Sequence, residues 1–508
     1  MRKTRDLSIV VIMFLLVVLA SSCGTAPKET VENTNAETAQ ITEPATAEQP
    51  PVELDPTLLD KLRTEKWSGD IDGLVERRHI RALVLYSKTG FFYDGPQPRG
   101  VSYEALMEFE KFLNKKLNTG IKPVKIVFFP VTREEGLKRM TDGGFDIAVA
   151  NIPIVPETQK LADFSDPVRE NSKELVVTGP SAPPIATLDD LAGKEIFVRK
   201  VSRYYPNLVK LNAQFKEAGK PEMTLREADP NLEDEDILNM VGSGVVGITV
   251  MDDLVAGLWA RVFEGLKVHN DIALVNDDKI GWAVQKNTPK FLALINEFVK
   301  DHKEGTSFGN TLILRYLKDA KFAKNNTLPS EMDKYKAAIG FFKKYADQYN
   351  FDWLMIAAQA YQESTIDQSV ASPAGAYGVM QIKPSTAEGS PINIPNIDTN
   401  MENNINAGVK YMDYIVNTNF KDAKFDKLNR QLFGFAAYNA GPARVTGLRK
   451  KAEAQGLDPN KWFNNVELIA AKEIGAETVT YVSNIYKYYV AYKLVAEDIN
   501  KKKKKSGS

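Results

Sequence analysis

Residues 357–365 read Ala-Ala-Gln-Ala-Tyr-Gln-Glu-Ser-Thr. Apolar residues recur at helical spacing from Trp353 to Glu363, so the stretch predicts a helix that ends in a carboxylate and a hydroxyl. A carboxyl group at the end of a strongly apolar helix is partly desolvated, which favours its protonated form, the state a general acid needs. By itself a Glu-Ser pair is more often a solvated helix end. Outward from it come Ala376-Tyr-Gly-Val-Met-Gln-Ile382, Phe435-Ala-Ala-Tyr-Asn-Ala-Gly441 and Glu477-Thr-Val-Thr-Tyr-Val482. Gly378 permits close backbone approach, and Gln381 offers an amide to a sugar or N-acetyl group. Ala-Tyr-Asn alone could be a helix C-cap, and Tyr438 could be core packing. Around these pieces the pattern is helical: Glu331–Tyr349, Ile405–Val416, Leu428–Ala437 and Thr478–Val495 carry apolar residues at helical spacing, with no strand signal. Tyr335, Ile339, Phe342 and Tyr345 form a stripe read as core. Residues 330–500 are therefore expected to be an all-α domain.

The order Glu-Ser, Gly-x-x-Gln, Ala-Tyr-Asn, Glu-Thr-x-x-Tyr-Val resembles the lysozyme-like domain of soluble-type lytic transglycosylases. The resemblance implies cleavage of the β-1,4 bond between N-acetylmuramic acid and N-acetylglucosamine without water, leaving a 1,6-anhydromuramoyl end. Glu363 would protonate the leaving oxygen and then deprotonate the muramoyl 6-hydroxyl. Ser364 would orient Glu363 or the substrate, Gln381 and Asn439 would position the N-acetylated sugar, and Tyr438 and Tyr481 would shape the pocket beside Gly378. Two-carboxylate glycosidases need a second acid across the sugar. Asp367 would lie on the same side as Glu363 if the helix continued, and reads as a solvated or capping residue. A receptor that binds glycan without cutting it, and a hydrolase using the same glutamate on water, are the alternatives.

The preceding residues, 76–304, alternate short apolar runs with amphipathic stretches: Arg81–Tyr86, Tyr103–Leu117, Val124–Phe129, Thr132–Met140. That alternation predicts an α/β domain with a largely parallel sheet. Gly144-Phe-Asp146, Pro156-Glu157, Asp163-Phe-Ser-Asp-Pro167, Leu188–Lys194 and Gly244–Val250 resemble, in order, the two-lobed type II periplasmic solute-binding proteins. That family commonly follows Pro-Glu with an arginine that clamps an amino-acid carboxylate in a bidentate pair. Thr158 stands there, so the expected ligand is something other than a free α-amino acid, such as a muropeptide fragment, or there is none. Thr158 and Asp252 are the candidate cleft residues, and Asp252 reads equally as a strand-end cap. The chain as a whole resembles a membrane-bound lytic murein transglycosylase, with residues 305–329 as connector. Closure of the two lobes could then be coupled through that connector to access at Glu363.

The amino terminus has a basic start, Met1-Arg-Lys-Thr-Arg5, an apolar run from Leu7 to Ala20, and Ser21-Ser-Cys23-Gly24. This reads as a secretory signal over residues 1–22, too short in its apolar part to span a bilayer. Cys23 stands where bacterial lipoproteins are acylated, although Ala20 replaces the more usual leucine, and Gly24 by the same resemblance favours the outer membrane. Residues 23–75 are expected to be a lipid-anchored tether and lead-in helix, because Thr, Ala, Glu and Pro up to Pro51 offer little to bury. Residues 501–508 form a basic tail.

Composition sets the outer bounds. With 508 residues the chain has room for roughly three units. Lys and Arg number 65 against 66 Asp and Glu, a net charge of -1, which excludes a protein built mainly to grip nucleic acid. One cysteine excludes an internal disulfide and a cysteine zinc cluster. His79, His269 and His302 all lie outside the catalytic segment. No metal and no cofactor are expected. The expected partners are peptidoglycan strands, a muropeptide in the first module and the membrane through lipid.

Overall fold

The computed structural model describes residues 54–132, 136, 138–318 and 332–505. The signal segment, Cys23, the tether up to Pro51, the later part of the connector and the last three residues lie outside the described residues. The described residues all fall within one compact unit.

The α/β part is built on β1 (His79–Leu85), a hairpin of β2 (Phe92–Asp94) and β3 (Gln97–Arg99), then β4 (Lys125–Val131), β5 (Ile147–Pro153), β6 (Asp163–Phe164) and β7 (Arg169–Thr178). It continues with β8 (Glu195–Val198), β9 (Thr224–Glu227), β10 (Ile248–Asp252) and β11 (Lys267–Val284). The main sheet runs β10–β7–β11–β5–β1–β4, with β6 also beside β11. β1 pairs parallel with β4, His79 opposite Lys125, and parallel with β5. β11 is antiparallel to β5, β6 and β7, and β10 is antiparallel to β7. The sheet is therefore mixed rather than largely parallel. The reason is β11, which pairs with β5 at one end and with β7 along the rest, so one strand serves both lobes.

The first lobe buries a charge to fix its geometry. Arg81 is fully buried on β1 and donates from Nη2 to Asp146 Oδ1 at 2.9 Å, while Arg77 also pairs with Asp146. Asp146, part of the Gly-Phe-Asp motif, is thus a structural counter-ion. Of the helix expected over Thr132–Met140, the described part is Lys138–Thr141.

The second part is all-α, as its periodicity predicts. Its helices include Met332–Gln348, Trp353–Ser364, Met401–Asn419, Lys427–Ala440, Pro442–Ala454 and Ala476–Lys505. Phe342 and Tyr345 of the expected stripe are buried and Ile339 packs against the same core. Asp352 starts the Trp353–Ser364 helix by accepting from Leu354 N at 2.9 Å. Ala357, Ala358 and Ala360 are fully buried in its middle, where small side chains let neighbouring helices come close. The helix stops because Thr365 and Ile366 take left-handed φ values of 56° and 59°.

The helical part packs against both lobes. Tyr93 of the first-lobe hairpin joins its core, Tyr486 donates to Asp229 Oδ2 of the second lobe at 2.8 Å, and Arg226 pairs with Glu497 at 3.2 Å. Lys487, buried beside this seam, has its ammonium pushed down to about 8 by burial.

Candidate functional site

Glu363 sits one residue from the end of its helix, and three other segments converge on it. The Ala476–Lys505 helix brings Tyr481, whose hydroxyl donates to Glu363 Oε1 at 2.5 Å. The Lys427–Ala440 helix brings Tyr438, whose hydroxyl donates to the Met380 carbonyl at 2.8 Å. The loop carrying Gly378 to Ile382 forms the third wall. Burial pushes the Glu363 carboxyl up to about 7, against the opposing pull of the Tyr481 hydrogen bond. The same burial, together with the charge on Glu363, pushes the Tyr481 and Tyr438 hydroxyls well above their ordinary range. A carboxyl that is half protonated near neutrality, with a phenol fixed on one oxygen, can give a proton and then take one back.

The other sequence-predicted residues divide into those that face this carboxyl and those that build the walls. Ser364 is buried, and its hydroxyl donates to the Val379 carbonyl at 3.0 Å and accepts from Asp367 N at 3.1 Å. It ties the helix end to the loop. Gly378 has φ +70°, and a Cβ there would stand 2.5 Å from Asn404 Nδ2 and 2.7 Å from the Gln368 amide. Gln381 spends its amide donor group on the Val370 and Gly378 carbonyls, at 3.0 and 2.9 Å, and holds the turn. Asn439 is exposed and accepts from Thr478 Oγ1 at 2.6 Å, which joins the ends of two helices beside the site. Asp367 is not carried round by a continuing helix. It sits in the turn beyond, where it accepts from Ser369 N at 2.8 Å.

Sequence reasoning missed Gln359, Gln368 and Asn404. Asn404 is fully buried on the Met401–Asn419 helix, donates to the Tyr377 and Ile397 carbonyls at 2.7 and 2.9 Å, and accepts from Met380 N at 2.8 Å. It fixes the loop that carries Gly378, and nothing local in the sequence marks it.

In the first module a cavity of about 220 Å³ lies between the lobes, lined by Val101, Val149, Leu254, Trp282, Phe298 and Tyr316 among others. Thr158 is not among its lining residues: its hydroxyl donates to the Pro153 carbonyl at 2.6 Å and accepts from Val155 N at 3.2 Å, capping a short helix. Asp252 does line the cavity, but it is fully buried and receives Arg169 Nη1 at 3.0 Å and Ser172 Oγ at 3.0 Å, with Arg203 at 3.3 Å. Burial pushes its carboxyl up, but the two guanidinium groups prevail and hold it below the usual range. It also caps the following helix by accepting from Leu254 N at 3.1 Å. Asp252 is thus a helix cap at the cavity wall whose charge is already matched.

Among the described residues no cluster of three His, Cys, Asp or Glu side chains could hold a metal ion, and no helix is long and apolar enough to cross a membrane.

Residues 340–463 match the family described as Transglycosylase SLT domain, and residues 86–312 match Bacterial extracellular solute-binding proteins, family 3. Membrane-bound lytic murein transglycosylase F of Pseudomonas fluorescens Pf-5 is 27% identical over 437 residues, 81% of this chain and 84% of that protein. The protein of the same name from Desulfosudis oleivorans is 27% identical over 436 residues, covering 81% of this chain and 90% of that one. Among solved structures, an ancestral arginine-binding protein bound to arginine matches with a TM-score of 0.38 at 21% identity, over 47% of this chain and 98% of that one. A substrate-binding protein of an amino acid ABC transporter matches with a TM-score of 0.38 at 20% identity, over 47% and 100%.

Proposed function

We propose that this chain, a family 3 solute-binding module joined to a Transglycosylase SLT domain, is a peptidoglycan lytic transglycosylase. The observation that carries the reading is Glu363, a carboxyl raised to about 7 by burial, with the Tyr481 hydroxyl on it at 2.5 Å. Among the described residues no second carboxylate contributes to its ionisation. A single acid of this kind suits a reaction in which the substrate supplies its own nucleophile. Glu363 gives its proton to the glycosidic oxygen between N-acetylmuramic acid and N-acetylglucosamine. The resulting carboxylate takes the proton of the muramoyl 6-hydroxyl as that oxygen bonds to the anomeric carbon. No water enters, and the glycan ends in a 1,6-anhydro ring. Gly378, Gln381, Tyr438, Asn439 and Ser364 shape the groove around the sugar, and the cavity of the first module would take a muropeptide.

The mass of the soluble products tests the reaction class. Anhydromuropeptides support it; products heavier by one water mean a hydrolase, and the absence of products turns the reading to a glycan receptor. We place the chain at the outer membrane, exported by residues 1–22 and held by acyl chains on Cys23, each buried methylene of which adds about 0.8 kcal/mol. Cys23→Ala should then shift the protein from the membrane to the soluble fraction, and an unchanged distribution would remove the anchor.

A further inference from the structure

Gln359 lies four residues before Glu363 on the same helix, a spacing that puts both side chains on one face. It is fully buried. Both side chains meet one atom of the neighbouring helix, the Tyr481 hydroxyl: Gln359 Nε2 stands 3.3 Å from it and Glu363 Oε1 2.5 Å. A phenol has one proton and can accept as well as donate. At 2.5 Å that proton is committed to Glu363, so the second partner must be a donor. The amide fills that place through its NH₂ group. Gln359 Oε1 is left buried without a hydrogen-bond partner, an arrangement that an apolar residue of the same length would avoid and that lowers stability. The amide is therefore poorly explained as core packing, and well explained by what it does to the hydroxyl.

We propose that Gln359 is a positioning residue of the catalytic site: by donating to the Tyr481 hydroxyl it locks the phenolic proton onto Glu363. The proposal rests on the reading of Glu363 as the one acid and base of the reaction. A carboxyl that must serve in both roles works best when its affinity for the proton stays near neutrality. Burial alone drives it upward, and the Tyr481 donation opposes this. A donor behind the phenol strengthens that opposition, because hydrogen bonds in a chain polarise one another. The other titratable group facing Glu363 is Tyr438 from the Lys427–Ala440 helix, and its proton is already given to the Met380 carbonyl. Asp367, beyond the helix end, accepts from Ser369 N and Oγ.

The test compares the full-length protein with Gln359→Met, Tyr481→Phe and the double variant, measuring kcat/KM against pH, KM, and melting temperature. Gln359→Met should move the high-pH fall of kcat/KM upward by up to about one pH unit, since the carboxylate loses part of a charge-assisted hydrogen bond. Its kcat should fall several-fold while KM holds and the melting temperature stays or rises. The double variant should match Tyr481→Phe alone, because Gln359 acts only through that hydroxyl. A merely structural glutamine would give the reverse, a lower melting temperature with the parental pH profile, and would overturn the proposal. So would additive effects in the double variant. Titration of the Glu363 carboxyl by NMR in parent and Gln359→Met reads the same shift without turnover. It separates failure of this inference from failure of the enzymatic reading, which an active Glu363→Gln would signal instead.

Discussion

Substituting Gly378 by alanine should damage the catalytic domain far more than the same change three residues earlier at Gly375. Both glycines have positive φ, +70° and +78°, so each alanine carries the left-handed backbone penalty of about 1 kcal/mol. At Gly375 a Cβ meets nothing within 4 Å. At Gly378 it would stand 2.5 Å from Asn404 Nδ2 and 2.7 Å from the Gln368 amide. Asn404 cannot yield cheaply, because its side chain makes three hydrogen bonds to the Tyr377 and Ile397 carbonyls and Met380 N. Displacing it strands at least one buried polar group, which costs about 2 kcal/mol more. The total for Gly378→Ala is then about 3 kcal/mol against about 1 kcal/mol for Gly375→Ala. At 2–4 °C per kcal/mol for a domain of this size, calorimetry should show losses of about 6–12 °C and about 2–4 °C. Equal shifts would refute the argument that Gly378 is required by close packing around its own loop.

Other expectations follow from the buried charges. In the proposed reaction the acid form of Glu363 acts first, so kcat/KM should fall as pH rises through about 7, and a profile flat from pH 5 to 9 would contradict the role of burial. The same shift has a stability sign. The folded state binds the Glu363 proton more tightly than the unfolded chain, so its contribution is fully present below about 4.5 and is lost as pH rises to about 7. Glu363→Gln should therefore melt higher than the parent at pH 8 and show a smaller difference at pH 4, and a constant difference would sink that reasoning. In the first module, Arg169→Met strips Asp252 of one of its two guanidinium partners and should cost about 3–5 kcal/mol in urea unfolding. A loss below 1 kcal/mol would mean that Arg203 suffices.

The Trp353–Ser364 helix and the carboxyl at its end were legible because the pattern is local: an apolar run and a terminal carboxylate occupy adjacent positions. The helical domain was legible for the same reason, since its periodicity is written within each segment. What stayed hidden depends on distant partners. Asp146 read as one letter of a motif, yet its meaning is the buried Arg81 on another strand. The mixed sheet follows from β11 serving two lobes, which no short pattern encodes. Thr158 looked like a cleft residue because of the Pro-Glu before it, while the structure spends its hydroxyl on its own turn. Gln359 left one trace, its spacing of four residues from Glu363, but the tyrosine that gives the spacing its meaning lies over a hundred residues away.

The most direct test is release of soluble fragments from purified peptidoglycan by the parent and by Glu363→Gln side by side, read by mass spectrometry. The account predicts 1,6-anhydromuropeptides from the parent and none above background from the variant. Equal release by the two would contradict it, because the account gives both proton transfers to the Glu363 carboxyl.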